Sequence, residues 1–349
     1  LDRATVQSEA LKADVSGTLR ELSTNRVVDL RGKLDYDLEK LQGLLAPYLG
    51  ESVAITGRST RDFKLSGPLG VANGLTFEQL NGEGSVAWDS LASYGFAGGP
   101  GVLAAKVSAG KVAITPLDFA VNNGRCKLSP TLLLTPAPGE VRLPRELVLD
   151  QVRVTPQMCA QALGYIAPAL AGVAQADGKF SVSLDGGRIP LDDPRQGDIS
   201  GTMTVHDVRV SAGPLVQALA IVLSRGTEAR LTEQAEVPFR MVQGRVYHKD
   251  LELVFPDMTI RTHGSVGFDR SLSILAEMPV PPKWIGTNTL GTALEGQKIQ
   301  LPIGGTLDQP MIDRRELDKL AAQFIQNAAG KVLQQELGKQ LDRLLGPPK

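Results

Sequence analysis

The chain repeats one short pattern: a glycine, one further residue, and then a segment in which apolar and polar residues alternate. Such alternation is typical of a β-strand with one buried face. A glycine before it is typical of a turn or of a strand start. Because the pattern recurs along most of the chain, we expect one very long antiparallel sheet whose strands each have one apolar face. The glycines are Gly17, Gly32, Gly110, Gly178, Gly201, Gly244, Gly264 and Gly305.

Few helices interrupt these strands. The sequence predicts an upstream β repeat over 1–175, a second β repeat over 176–312, and a C-terminal amphipathic helix over 313–349. Short helices are expected near 38–49, 155–173 and 214–224, the second of them capped by Thr155 and Pro156. The first two helices and the strands after them are similar in sequence, so we interpret the two β repeats as a duplicated unit. We expect the C-terminal helix to cap the sheet, with membrane insertion as the alternative.

Composition and motifs argue against several classes of function. Thirty-seven Lys and Arg against 38 Asp and Glu give a net charge of −1, which does not favour a nucleic-acid binder. We predict no catalytic residues, metal site or cofactor, because His206, His248 and His263 lack metal-ligand spacing and no nucleophile motif appears. We interpret these histidines as surface or strand-end residues, with His248 on a polar face. Cys126 and Cys159 could form a disulfide or remain two separate buried thiols.

The apolar strand faces must be covered, and the predicted helices are too few to cover them all. One solution is a sheet that folds on itself as a closed sandwich or barrel with an ordinary core. The other is a long antiparallel sheet curled into an open trough whose apolar inner wall holds lipid chains. Medium-sized aliphatic residues and an aromatic content of only 5% are compatible with both solutions.

The second half of the chain resembles the C-terminal region of the AsmA-like family. The resemblance rests on residues 201–210 (GTMTVHDVRV), 244–253 (GRVYHKDLEL), 264–269 (GSVGFD) and 301–310 (LPIGGTLDQP), followed by the amphipathic helix. Residues 34–38 (LDYDL) and 63–69 (FKLSGPL) resemble earlier repeats of the same family more loosely. Members of this family, which are related to TamB, are large envelope proteins of double-membraned bacteria, usually anchored in the inner membrane and extending through the periplasm. The resemblance implies that this chain is periplasmic and part of such an inner-membrane-anchored protein.

The resemblance implies a fold and a function. The fold is a mainly β, long sheet bent into an open trough. The function is non-enzymatic transfer of phospholipid between inner and outer membrane, with phospholipid and with inner- and outer-membrane proteins as partners. A closed-core scaffolding segment that supports outer-membrane assembly is the alternative. The chain begins with Leu1, without a signal peptide or an anchor, which we interpret as a piece of a longer protein. The residues expected to line the trough are Phe180, Val182, Leu184, Met203, Val205, Leu251, Leu253, Phe255, Val266, Phe268, Leu272 and Ile274.

Overall fold

A computed structural model describes residues 3–21, 26–50, 52–69, 78–223, 230–231, 235–256, 258–279, 298–312 and 319. These residues are mainly β, with 63% in strands and 14% in helices. The predicted helix over 313–349 lies outside them, apart from Lys319.

The strands form one antiparallel sheet of 24 members. In chain order they are β1 (Ala4–Gln7), β2 (Leu11–Arg20), β3 (Val27–Asp37), β4 (Ala54–Thr56), β5 (Arg58–Pro68), β6 (Asn81–Trp88), β7 (Ser90–Ser93), β8 (Phe96–Gly98), β9 (Gly101–Ser108), β10 (Lys111–Ile114), β11 (Leu117–Val121), β12 (Gly124–Leu128), β13 (Thr131–Leu133), β14 (Glu140–Leu143), β15 (Glu146–Arg153), β16 (Ala176–Pro190), β17 (Asp198–Val210), β18 (Arg230–Leu231), β19 (Glu236–Val242), β20 (Arg245–Phe255), β21 (Met258–Gly267), β22 (Leu272–Pro279), β23 (Lys298–Gly305) and β24 (Pro310–Ile312). The predicted long antiparallel sheet is confirmed. Among the described strands, β1 pairs only with β2 and β24 only with β23, so these two are its edges.

The strands follow each other as a meander, and those from β4 to β15 are halves of longer, interrupted strands. Thus β5 pairs with β6 while β4 pairs with β7, and β9 pairs with β10 while β8 pairs with β11. The interruptions therefore lie beside each other and form a line across the sheet. Four of the six interruptions fall at prolines, because proline has no backbone N–H to donate to the neighbouring strand. The interruptions fall at Gly57, Asp89, Pro100, Pro116, Pro130 and Pro144.

This line divides the interrupted strands into two panels, and the uninterrupted strands β2 and β3 extend the first of them. We call β2, β3, β5, β6, β9, β10, β13 and β14 the first panel, and β4, β7, β8, β11, β12 and β15 the second panel. Trp88 of the first panel and Phe119 of the second pack edge to face, with ring centroids 5.5 Å apart. Side chains from both panels thus meet beside the line of interruptions.

Most of the repeated glycines lie inside strands, so the expectation that they mark strand starts is wrong for them. Only Gly110 and Gly244 occupy turns that precede a strand. Gly17 and Gly264 lie within β2 and β21 with φ of 145°. A Cβ on Gly17 would overlap the carbonyl oxygen of Asp29 on the neighbouring strand, and one on Gly264 would overlap that of Ser273. Glycine is needed there because the neighbouring backbone approaches closely.

The helices lie near the predicted positions but differ in form. Helix α1 spans Leu38–Leu49, and Asp37 caps it by accepting a hydrogen bond from the backbone N–H of Lys40. The helix expected over 155–173 is instead a series of short pieces that we call the cap segment. It comprises α2 (Pro156–Met158), a π-helical turn (Cys159–Leu163), α3 (Gly164–Ile166) and a 3₁₀ turn (Pro168–Leu170). A further 3₁₀ turn spans Pro194–Gln196, and α4 spans Pro214–Leu223.

The main hydrophobic core lies under the cap segment and α4. Met158 and Leu170 of the cap segment and Leu219 of α4 belong to the same buried cluster as Phe180 and Leu253 of the sheet. Arg270 fastens the cap segment from the turn after β21 by donating a hydrogen bond of 3.2 Å to the carbonyl oxygen of Ala160. A smaller cluster around Tyr36, Leu38, Ile55 and Trp88 fills the space beside α1.

Leu253→Glu should unfold or strongly destabilise the protein. Leu253 is 1% exposed, and an unpaired carboxylate buried there costs about 3–5 kcal/mol. Val254 is the next residue on the same strand, with 37% of its side chain exposed, and Val254→Glu should change stability by less than about 0.5 kcal/mol. Urea unfolding of both variants checks this, and equal midpoints would contradict the buried core.

Candidate functional site

The structure places eleven of the twelve predicted lining residues inside the main core. Each of the eleven is less than a tenth exposed, and the cap segment and α4 contribute to the same cluster. Phe268 differs, because it follows the end of β21, is 38% exposed and packs against Tyr165. The role of these residues in lining a lipid trough stays a prediction, and in this structure protein covers most of them. The eleven are Phe180, Val182, Leu184, Met203, Val205, Leu251, Leu253, Phe255, Val266, Leu272 and Ile274.

A second apolar surface lies on the first panel and is only partly covered. One row of cross-strand partners runs from β2 to β16, and all its members are apolar residues or glycines on the same face. Every one of them is half-buried, in contrast to the residues under the cap segment. In strand order the row is Gly17, Leu30, Leu65, Gly82, Val107, Val112, Leu132, Val141 and Ile189. We call the face that carries this row the inner face.

The row crosses a groove with a volume of about 410 Å³. Inner-face residues Phe63 and Leu65 of β5 form one wall, and Val107 and Val112 form another. Gly82 and Gly84 form the floor between them, because they place no side chain over β6. The volume lies in the range of small-molecule sites, and the lining is predominantly apolar as such sites require.

The opposite face of the same strands is charged. Lys64, Glu83 and Lys106 are cross-strand neighbours there, one position away from the apolar row. Lys64 donates a hydrogen bond of 2.7 Å to Glu83, which raises the pKa of Lys64 and lowers that of Glu83. The side-chain period of two therefore gives the first panel one solvated face and one apolar face.

Arg61 is the exception on the inner face. It is the cross-strand partner of Leu34 and lies two residues before Phe63 on β5, so its side chain shares the face of the groove. Its Nε is buried, and within the described part of the chain no hydrogen-bond partner reaches it. The groove thus combines apolar walls with one half-buried cationic side chain, whose buried Nε has no partner among the described residues.

His248 is buried on the inner face, so its expected place on a polar face is wrong. A β-bulge between His248 and Leu251 adds a residue to β20 and changes which side chains point inward. The Nε2 atom lies 3.4 Å from Thr262 Oγ1, and Nδ1 has no partner among the described residues. Burial lowers the pKa of His248 to about 4, and the nearby His263 contributes in the same direction.

Ser181, His206 and Asp150 lie close together, but their order differs from that of a hydrolytic triad. Ser181 Oγ lies 3.0 Å from His206 Nε2 and 3.4 Å from Asp150 Oδ1. The serine stands between the other two, so the carboxylate does not orient the imidazole as in a hydrolytic triad. In the described ranges no group of three or more His, Cys, Asp or Glu side chains is placed to hold a metal.

Both cysteines are free thiols, which settles the alternative that the sequence left open. Burial raises the pKa of Cys126 to about 11 and that of Cys159 to about 12. Because the thiolate is the reactive form, burial keeps both cysteines in the less reactive thiol form at neutral pH.

No family model, curated protein or solved structure matches this chain. Within the part of the chain that the structure describes, no helix has both the length and the apolarity needed to cross a bilayer.

The groove was not predicted from the sequence, although the alternation that gives β5 an apolar face is present there. Phe63 and Leu65 alternate with Asp62 and Lys64 as clearly as the residues of β16 do. The sequence shows which face is apolar in both halves, but it does not show that the cap segment covers only the second.

His248 should make the protein less stable in mild acid. An unfolded histidine has a pKa near 6.5, whereas His248 in the fold has a pKa of about 4. Between these values the unfolded chain binds a proton that the folded chain does not, so stability falls as the pH drops from about 6.5 to about 4. The loss is about 3 kcal/mol in total. His248→Leu should remove this part of the pH dependence in denaturant unfolding at pH 7 and pH 4.5. Identical pH profiles for the two proteins would contradict the burial of a neutral histidine.

Proposed function

We propose that this chain is a non-enzymatic lipid-binding segment that carries phospholipid acyl chains along the inner face of the first panel. The observation that carries the proposal is the half-buried apolar row, which continues from β2 to β16 and crosses the groove. An apolar surface that spans so many strands, and that the described residues leave half-buried, fits an elongated apolar ligand. Each CH₂ group that leaves water there gains about 0.8 kcal/mol.

The line of interruptions supports a trough. Prolines and glycines let each strand change direction at the same place, so the two panels can incline toward each other. The contact between Trp88 and Phe119 joins the panels beside the line of interruptions. A sheet bent in this way would shield acyl chains from water on both sides while the headgroups stay in solvent.

Transfer by this mechanism needs no catalytic group. The contacts along the row are apolar and lack direction, so a chain can move from one strand to the next without losing a specific bond. Following the AsmA-like resemblance, we place the segment in the periplasm as part of an inner-membrane-anchored protein, between inner- and outer-membrane partners.

The covered core under the cap segment favours a second, structural role for the second half of the chain. There the apolar face packs against protein, as in a closed scaffold. We propose that this half supports the open half rather than lining a lipid path in the present conformation.

Val112→Glu should strongly weaken lipid binding without unfolding the protein. Val112 is half-buried in the groove wall, and a carboxylate beside an acyl chain should lower affinity by about a hundredfold. Ala113→Glu is the matched control, because Ala113 is exposed on the opposite face beside Lys106. Native mass spectrometry and lipid extraction of the purified proteins measure the bound phospholipid. The proposal would be contradicted if the wild-type protein purified without lipid, or if the two variants contained equal amounts of lipid.

Gly84→Phe tests the groove by volume instead of charge. A Cβ at position 84 would meet only the Cβ of Phe63, at 3.6 Å, so a larger side chain can enter the groove without moving the backbone. The phenyl ring should displace part of an acyl chain and weaken binding of a fluorescent fatty acid by about tenfold. Gly84→Ala should leave affinity near that of wild type. If the fatty acid binds Gly84→Phe as tightly as it binds wild type, its binding site is not this groove.

A further inference from the structure

Arg61 has no evident role in the packing of the groove. Arginine keeps its charge in proteins, and its guanidinium carries five N–H donors. Arg61 lies beside Leu34 and Phe63, and none of the ion pairs of the described residues includes it. A charge in apolar surroundings is costly unless it is paired and hydrogen-bonded.

Two other cationic side chains of β5 show what this position lacks. Arg58 lies three residues earlier on β5, and its Nε lies 2.8 Å from the carboxylate of Asp37. Lys64 lies on the outer face, which is the charged face opposite the inner face, and forms a salt bridge with Glu83. Among the residues that line the groove, Asp62, Lys64 and Glu83 are charged as well, but the strand alternation directs their side chains to the outer face. Arg61 therefore faces the groove as its single inner-face charge.

We propose that Arg61 binds the anionic oxygen group of an amphiphile whose acyl chain lies in the groove. A guanidinium matches both a carboxylate and a phosphodiester through paired N–H donors. A fatty-acid carboxylate and a phospholipid phosphate supply the same chemistry, so either could occupy the position. This inference rests on the proposed function and adds to it the class of headgroup and the place where the headgroup binds.

The position of Arg61 also sets the direction of the bound acyl chain. Leu34 lies level with Arg61 on the neighbouring strand, and beyond it the small buried cluster of Tyr36 and Trp88 closes that end of the groove. On the other side, Phe63 and Leu65 follow on the same face, roughly 7 Å apart at the strand repeat. The headgroup end thus lies at Arg61, and the chain extends along β5 toward Val107 and Val112.

Displacement of a fluorescent acyl probe tests the headgroup preference with two matched ligand pairs. The first pair is dodecanoate and dodecan-1-ol, and the second is lysophosphatidylglycerol and monoacylglycerol. Wild type should bind at least one anionic member about tenfold more tightly than its uncharged partner. The pair that shows the preference identifies the carboxylate or the phosphodiester as the preferred group. Inorganic phosphate alone should not displace the probe, because it lacks the chain.

Arg61→Gln should remove this preference. Its affinity for the anionic ligand should fall about tenfold, to that of the uncharged partner, while the affinity for the uncharged partner is unchanged. Lys64→Gln is the matched control on the same strand, and it should retain the wild-type preference. Urea unfolding confirms that both variants are folded.

Three results would overturn the role of Arg61: equal binding of charged and uncharged ligands by wild type, an unchanged preference in Arg61→Gln, or a lost preference in Lys64→Gln. In each case tight binding of the uncharged ligands would leave the lipid-binding proposal intact. If wild type binds none of the four ligands, both the role of Arg61 and the lipid-binding proposal are overturned.

Discussion

The apolar face of a long antiparallel sheet has to be removed from water, and the way each half of this sheet achieves this determines the rest of the structure. In the second half, the cap segment and α4 cover the face, and the residues beneath them are buried. In the first panel the corresponding row is half-buried and crosses a groove. One alternating pattern thus produces a filled core in one region and an accessible apolar surface in the other.

Backbone irregularities determine where each region begins. Prolines at positions 100, 116, 130 and 144 interrupt neighbouring strands at one level, because proline cannot donate to the ladder. The bulge in β20 turns His248 inward and keeps Leu251 and Leu253 in the core. These features cost little in the ladder, yet they set the orientation of whole rows of side chains.

The sequence was sufficient for much of the fold, since alternation depends only on local spacing. It identified the inward residues of β16, such as Phe180 and Val182, and placed α1 between Leu38 and Leu49. It could not place His248, because a bulge of one residue leaves no signal in the alternation. It could not locate the groove either, because coverage depends on contacts between residues distant in the chain, such as Arg270 with Ala160.

Direct contact between lipid and the inner face is the central claim, and site-specific photo-crosslinking measures it. The photoreactive residue benzoylphenylalanine would replace Val107, which lines the groove, and in a separate protein Lys106, its exposed neighbour on the opposite face. After expression in a bacterial host and irradiation, mass spectrometry should find a phospholipid or fatty-acid adduct at position 107 and none at position 106. Absence of an adduct at position 107, or equal adducts at both positions, would contradict the account.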